Sequence, residues 1–212
     1  MLRALVFDFD GLILDTETSE YESVRRAFDD HGAAMPLSRW VARIGTHGPH
    51  WLDELEAEIG PLPDREGLRA AHRRRHSERV LKEKPAPGLL ALIGAATQRD
   101  LRLAVASSSG RAWVQGHLDR LGLLHHFGTV SCCENGIRPK PAPDCYREAC
   151  AALGVAPWEA LAFEDSPHGV AAAKAAGLRC VAVPGALTRG LDFAAADLVV
   201  ASLESVKLAD WV

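Results

Sequence analysis

The chain has 212 residues, enough for one large domain or for a medium-sized domain with a smaller partner domain. Its composition is that of a folded protein, with 48% hydrophobic and 25% charged residues, and its formal net charge is −4 at pH 7. There is no basic surplus for nucleic acid and no run of roughly 18 apolar residues for a membrane span, so we expect neither partner.

The first predicted element is a strand. Residues 2–7 form a short apolar run that stops at the sequence Asp8-Phe9-Asp10-Gly11. Continuous apolar runs of this length, here and in four later segments, are typical of parallel strands buried on both faces of a sheet. The acidic residue also comes too early in the chain for a secretion signal.

The next segment is predicted to be an insertion. Residues 16 to about 84 contain no convincing strand but hold four helix patterns, at 18–31, 37–44, 51–58 and 65–82. They end at a proline-rich segment, residues 84–88, which is typical of a hinge. We therefore predict an all-helical cap domain of residues 16–85, inserted into a core domain of residues 1–15 and 86–212. A lid with two hinges is suited to closing over a site.

After the hinge, helix patterns alternate with short apolar runs. Helices are predicted at 88–99, 112–121, Asp144–Leu153 and 169–176, and strands at 101–106, Thr129–Cys132, 160–163 and 180–183. This alternation favours parallel strands joined by helices. The predicted fold class is α/β: a doubly wound, mostly parallel, Rossmann-like sheet with an inserted all-helical cap.

Polar side chains follow four of the predicted strands. They are Asp8 and Asp10 after the first, Ser107 and Ser108 after the second, Lys140 after the third, and Glu164 and Asp165 after the fourth. The carboxyl ends of parallel strands share one sheet edge, where ligands bind. Crowded carboxylates repel one another unless a cation lies among them, and oxygen ligands favour Mg²⁺. Hydroxyl and ammonium groups complement a phosphate, so the sequence predicts a phosphoryl site bridged by Mg²⁺.

These segments, in this order, resemble the haloacid dehalogenase superfamily, and within it the helical-cap, β-phosphoglucomutase-like phosphatases. Residues 8–17 match the family's first motif almost residue for residue. Ser107 matches the hydroxyl motif, Lys140 the lysine motif, and Glu164-Asp165 with Gly169 the acidic motif. The resemblance covers essentially the whole chain.

The resemblance implies a Mg²⁺-dependent phosphohydrolase that cleaves a small phosphate monoester through an aspartyl phosphate. The implied catalytic residues are Asp8 as nucleophile, Asp10 as acid and base, Ser107 and Lys140. The implied phosphate or substrate contacts are Asp8, Gly11, Ser107, Ser108 and Lys140, with His47 in a cap loop as a specificity candidate. The implied metal ligands are Asp8, Asp10 through its carbonyl, Asp165 and Glu164. A sugar, polyol or nucleotide phosphate fits these expectations.

A sugar phosphomutase is the alternative function, because mutases of this family share the architecture. Such enzymes carry a histidine shortly after the first motif, where Glu20 stands in this chain. Asp10 argues against a dehalogenase, which lacks the second aspartate of the motif. A phosphonate hydrolase needs a cap lysine, and the insertion has lysines only at its far end. Hydrolysis is therefore the favoured reaction.

The cysteines indicate the compartment. The chain has five, with no Cys-x-x-Cys spacing, which is typical of reduced, buried thiols. We expect a cytoplasmic protein, a monomer by default, whose partner is a small phosphorylated metabolite.

Overall fold

A computed structural model describes residues 1–42, 44 and 50–211. The chain forms two compact units, one of Met1–Leu14 with Lys84–Val212 and one of Asp15–Glu83. No helix among the described residues is both long and apolar enough to cross a membrane. His47, the specificity candidate, lies outside the described residues.

The regular structure of the unit Asp15–Glu83 is helical throughout its described part. It consists of α1 (Thr16–Asp29), α2 (Leu37–Val41), α3 (Trp51–Ile59) and α4 (Arg65–Val80). The Asp15 and Asp64 side chains cap α1 and α4 by accepting backbone N–H bonds of 3.0 and 2.8 Å. The apolar faces of these helices, including Val24, Phe28 and Leu55, are buried and give the unit its own core.

The unit Met1–Leu14 with Lys84–Val212 is built on a parallel sheet. In the described residues its strands are β1 (Ala4–Phe7), β2 (Arg102–Ser107), β3 (Thr129–Cys132), β4 (Ala160–Glu164), β5 (Arg179–Ala182) and β6 (Leu198–Val199). Their order is β3-β2-β1-β4-β5-β6. The chain therefore adds β2 and β3 on one side of β1, and β4, β5 and β6 on the other, although all these strands are parallel, and the order of strands reverses between β1 and β4. In such a sheet the crevice at this reversal, at the carboxyl ends of the strands, is the expected ligand site.

Four helices described in this unit cover the sheet: α5 (Leu89–Thr97), α6 (Arg111–Arg120), α7 (Asp144–Leu153) and α8 (Pro167–Ala176). Residues Gly154 and Gly177 follow α7 and α8 with φ of 64° and 94°, a left-handed conformation that ends a helix at little cost in glycine. Small buried residues on α7 and α8, such as Ala149 and Ala173, let both helices pack on the strands. The predicted α/β class is confirmed.

Candidate active site

The loop after β1 holds Asp8 and Asp10 in a tight turn. The Asp8 N–H donates to the Phe163 carbonyl oxygen of β4 at 3.0 Å, which ties the loop to the neighbouring strand. The Gly11 N–H donates to the Leu14 carbonyl oxygen at 2.8 Å, which closes the turn. Glycine is required at position 11 because φ is 85° and a Cβ there would lie 2.1 Å from Asp165 Oδ2. The missing side chain thus leaves room for the Asp165 carboxylate.

A group of buried carboxylates lies at the reversal point of the sheet. Asp8, Glu164 and Asp165 each offer an oxygen, and these oxygens lie within 4.8 Å of one another. Their residues are 6%, 0% and 4% exposed. Strand pairing explains why these carboxylates lie close together. Phe7 of β1 lies opposite Phe163 of β4, and an acidic residue follows directly after each of them.

Lys140 reaches this group from the loop between β3 and α7. Its Nζ donates to Asp8 Oδ1 and to Glu164 Oε1, the latter at 2.6 Å, and its side chain is 7% exposed. Two contacts hold the loop: the Lys140 N–H donates to Ser108 Oγ at 3.1 Å, and the Arg138 guanidinium binds both oxygens of Asp144 at 2.8 and 2.9 Å. The ammonium is therefore fixed beside the nucleophile candidate.

The charges of this centre do not balance. Burial raises the pKa of Asp8 well above its usual range; Lys140 lowers it, and the charges of Glu164 and Asp10 raise it further. Burial alone would lower the pKa of Lys140, but the negative charges of Asp8 and Glu164 outweigh this and raise it. One ammonium among three carboxylates leaves an excess of negative charge in a buried place. An oxygen-only donor set with excess negative charge fits a hard divalent cation.

The Asp10 carboxylate accepts hydrogen bonds from two serines and a tryptophan. Oδ2 accepts from the Ser109 hydroxyl at 2.7 Å and from the Ser107 hydroxyl at 3.3 Å, and Oδ1 accepts from Trp113 Nε1 at 3.0 Å. The roles of Ser109 and Trp113 escaped the sequence reasoning. Ser109 stood in a visible serine run, but Trp113 lies on α6 with no motif around it.

Tyr146 is a second residue that sequence reasoning missed. Its hydroxyl donates to Glu164 Oε1 at 2.5 Å, and Lys140 Nζ lies 5.1 Å from the centroid of its ring. The residue is fully buried on α7. Tyr146 thus fixes the side chain of Glu164 and lines the space around the ammonium.

The structure brings eight of the nine sequence-predicted site residues together at one edge of the α/β unit. They are Asp8, Asp10, Gly11, Ser107, Ser108, Lys140, Glu164 and Asp165. The helical unit holds a separate polar cluster, in which the Glu20 carboxylate lies 3.2 Å from His72 Nε2 and 3.5 Å from His76 Nδ1. Burial raises the Glu20 pKa, but the hydrogen bond and charge of His72 lower it, and the net shift is downward.

A parallel sheet with an acidic centre at its carboxyl edge is the architecture of an α/β enzyme. The chain belongs to the haloacid dehalogenase-like hydrolase family, whose model matches residues 2–177. The family resemblance noted in the sequence is therefore confirmed.

Individual relatives align with 84% to 99% of the chain. "Putative phosphatase YhcW" of Bacillus subtilis (strain 168) is 43% identical over 210 residues, 99% of this chain and 96% of its own length. "Fructose-1-phosphate phosphatase YqaB" of Escherichia coli (strain K12) is 28% identical over 185 residues, 84% of this chain and 95% of its own. The structure of CbbY from Rhodobacter sphaeroides in complex with xylulose-(1,5)bisphosphate is 28% identical, with a TM-score of 0.78 over 97% of this chain and 96% of that one.

Proposed function

We propose that this protein is a Mg²⁺-dependent phosphatase that hydrolyses a small phosphate monoester through a phosphoaspartate on Asp8. The observation that carries the proposal is the buried Asp8 carboxylate, which contacts the Lys140 ammonium and has two further carboxylates within 4.8 Å. This is a site for positioning and neutralising a phosphoryl group, the main requirements of phosphoryl transfer.

The proposed reaction has two steps. An Asp8 oxygen bonds to phosphorus while the bond from phosphorus to the ester oxygen breaks, and Asp10 gives its proton to the leaving alcohol. Asp10 then takes a proton from water, whose oxygen bonds to phosphorus and releases inorganic phosphate from Asp8. Lys140 and the Ser107 hydroxyl, with the Ser108 N–H, neutralise and hold the phosphoryl oxygens.

Mg²⁺ would be held by Asp8, Asp165 and the Asp10 carbonyl, with Glu164 beside them. It would supply positive charge that offsets the repulsion between these carboxylates and the phosphoryl group. Glu164 contacts Lys140 and Tyr146, so we assign it mainly to orienting the ammonium.

Sugar phosphates are the proposed substrate class. Two relatives support it, since one is named a fructose-1-phosphate phosphatase and another is in complex with xylulose-(1,5)bisphosphate. We also propose that residues 16–85 act as a cap on the core of 1–15 and 86–212, and that His47 contributes to substrate choice. We further propose that the protein is cytoplasmic, which its five free cysteines support, and that it is a monomer.

Phosphate release from a panel of sugar, polyol and nucleoside monophosphates, each with Mg²⁺ and with EDTA, tests the function. We expect release that requires Mg²⁺ and is fastest with a sugar phosphate. Loss of a hexose 1-phosphate without free phosphate would identify a phosphomutase instead. No turnover of either kind would contradict an enzymatic role for this centre.

A further inference from the structure

Trp113 donates a hydrogen bond to the residue proposed as the acid and base. Its indole Nε1 lies 3.0 Å from Asp10 Oδ1, while the serine hydroxyls of Ser107 and Ser109 both donate to Oδ2. The two oxygens of Asp10 therefore face chemically different donors.

The indole itself is held in place. Trp113 lies in the first turn of α6, and its ring packs edge-on against His117 at 4.3 Å between centroids and 73° between planes. His117 is buried and in turn packs against Phe9 at 6.3 Å, one residue before Asp10. The donor and its acceptor are thus linked through one packed set of rings.

The donors at the two oxygens differ in what they allow. A serine hydroxyl can donate or accept, whereas an indole N–H can only donate. Oδ1 therefore stays an acceptor while it contacts Trp113, whereas Oδ2 faces hydroxyls that can accept as well as donate, so the partners of Oδ2 can adjust when that oxygen carries the proton. When Ser107 turns its single O–H to a phosphoryl oxygen, Ser109 and Trp113 can still donate to the carboxylate.

We propose that Trp113 is a positioning residue, which holds Oδ1 so that Oδ2 of Asp10 delivers the proton to the leaving group. This inference rests on the proposed phosphatase function. Without the indole N–H the carboxylate rotates more freely, and proton delivery becomes less efficient. The loss grows with the need of the leaving group for a proton.

The test is the value of kcat/KM, which reports formation of the phosphoenzyme, for Trp113→Phe on two esters. A sugar phosphate leaves as an alkoxide that needs a proton, whereas p-nitrophenyl phosphate has a stable leaving anion. We expect kcat/KM to fall about tenfold for the sugar phosphate and by less than about twofold for the aryl ester. Trp113→His, which keeps a ring N–H, should recover most of the loss.

Trp158→Phe is the matched control, because Trp158 is 73% exposed in the same unit, and it should leave both values unchanged. Equal losses on the two esters in Trp113→Phe, or no loss on either, would overturn the inference while leaving the phosphatase function standing. Failure of the unmodified protein to hydrolyse either ester would overturn both. Thermal midpoints of all variants separate these results from a loss of fold.

Discussion

At the scale of single residues, Asp8 is a carboxylate whose charge is poorly supported by the protein alone. It is 6% exposed, and its pKa is raised by burial and by the nearby carboxylates of Glu164 and Asp10, against the opposing effect of Lys140. A raised pKa means that the folded state binds the proton more tightly than the unfolded chain. The ionised form therefore costs stability, and this cost appears as pH rises from the ordinary value of 3.8 through the folded pKa.

Asp8→Asn tests both the role of Asp8 in catalysis and the cost of its charge to stability. We expect turnover to fall by a factor of about 10⁴ or more, because the amide is not a nucleophile. In EDTA the thermal midpoint should equal or exceed that of the unmodified protein, and the difference should grow as pH rises above 3.8, the ordinary pKa of the side chain, because the pKa of Asp8 is raised by burial. A variant that melts lower at neutral pH, or that keeps its activity, would contradict the account.

At the scale of elements, helix α8 comes very close to the acidic end of β4. A Cβ at Gly169 would lie 1.9 Å from Glu164 Cδ, so the missing side chain is what lets the helix reach this position. The contact matters to the site because the same Glu164 carboxylate accepts hydrogen bonds from Lys140 and Tyr146. Packing of one helix thus fixes the group that orients the ammonium.

Gly169→Ala should therefore act on both stability and activity. We expect a loss of about 1–3 kcal/mol in the free energy of unfolding and a clear fall in kcat, because Glu164 must move or α8 must shift. Chemical denaturation and phosphate release measure the two effects. Gly116→Ala on α6 is the control, since a Cβ there meets nothing within 4 Å, and it should stabilise by about 0.5–1 kcal/mol. Equal behaviour of the two variants would refute the close contact.

At the scale of the whole molecule, the sequence predicted most strand positions but not the order of the strands in the sheet. Buried parallel strands are continuous apolar runs, so five strands were predicted to within two residues of their ends, and the largest difference is at β1, which starts at Ala4 instead of residue 2. The strand β6 was missed because Leu198–Val199 is two residues long and exposed. Helix α2 ends at Val41, three residues short of the prediction. Short or exposed segments carry too little periodicity to define an element.

The residues of the candidate site also fall into those that the sequence predicts and those that only the fold reveals. Asp8, Lys140 and Asp165 stand next to strands and carry their own chemistry, so sequence reasoning could find them. Trp113 is 103 residues from Asp10, and only the fold brings its indole to that carboxylate. Gly11 was recognised from its position in the first motif. Its role in the turn after β1 could not be read from the sequence, because that role depends on backbone geometry.

The measurement that tests the central claim most directly is the location of the covalent intermediate. The protein is mixed rapidly with Mg²⁺ and a sugar phosphate that it hydrolyses. The mixture is quenched in acid and treated with borohydride, which reduces an aspartyl phosphate to homoserine. Peptide mass spectrometry then reads position 8. We predict homoserine at position 8 that depends on substrate and Mg²⁺, with no homoserine at position 10 and no 5-hydroxynorvaline, the reduced form of glutamate, at position 164. Hydrolysis of the ester with an unmodified Asp8, or with reduction at another carboxylate, would contradict the account.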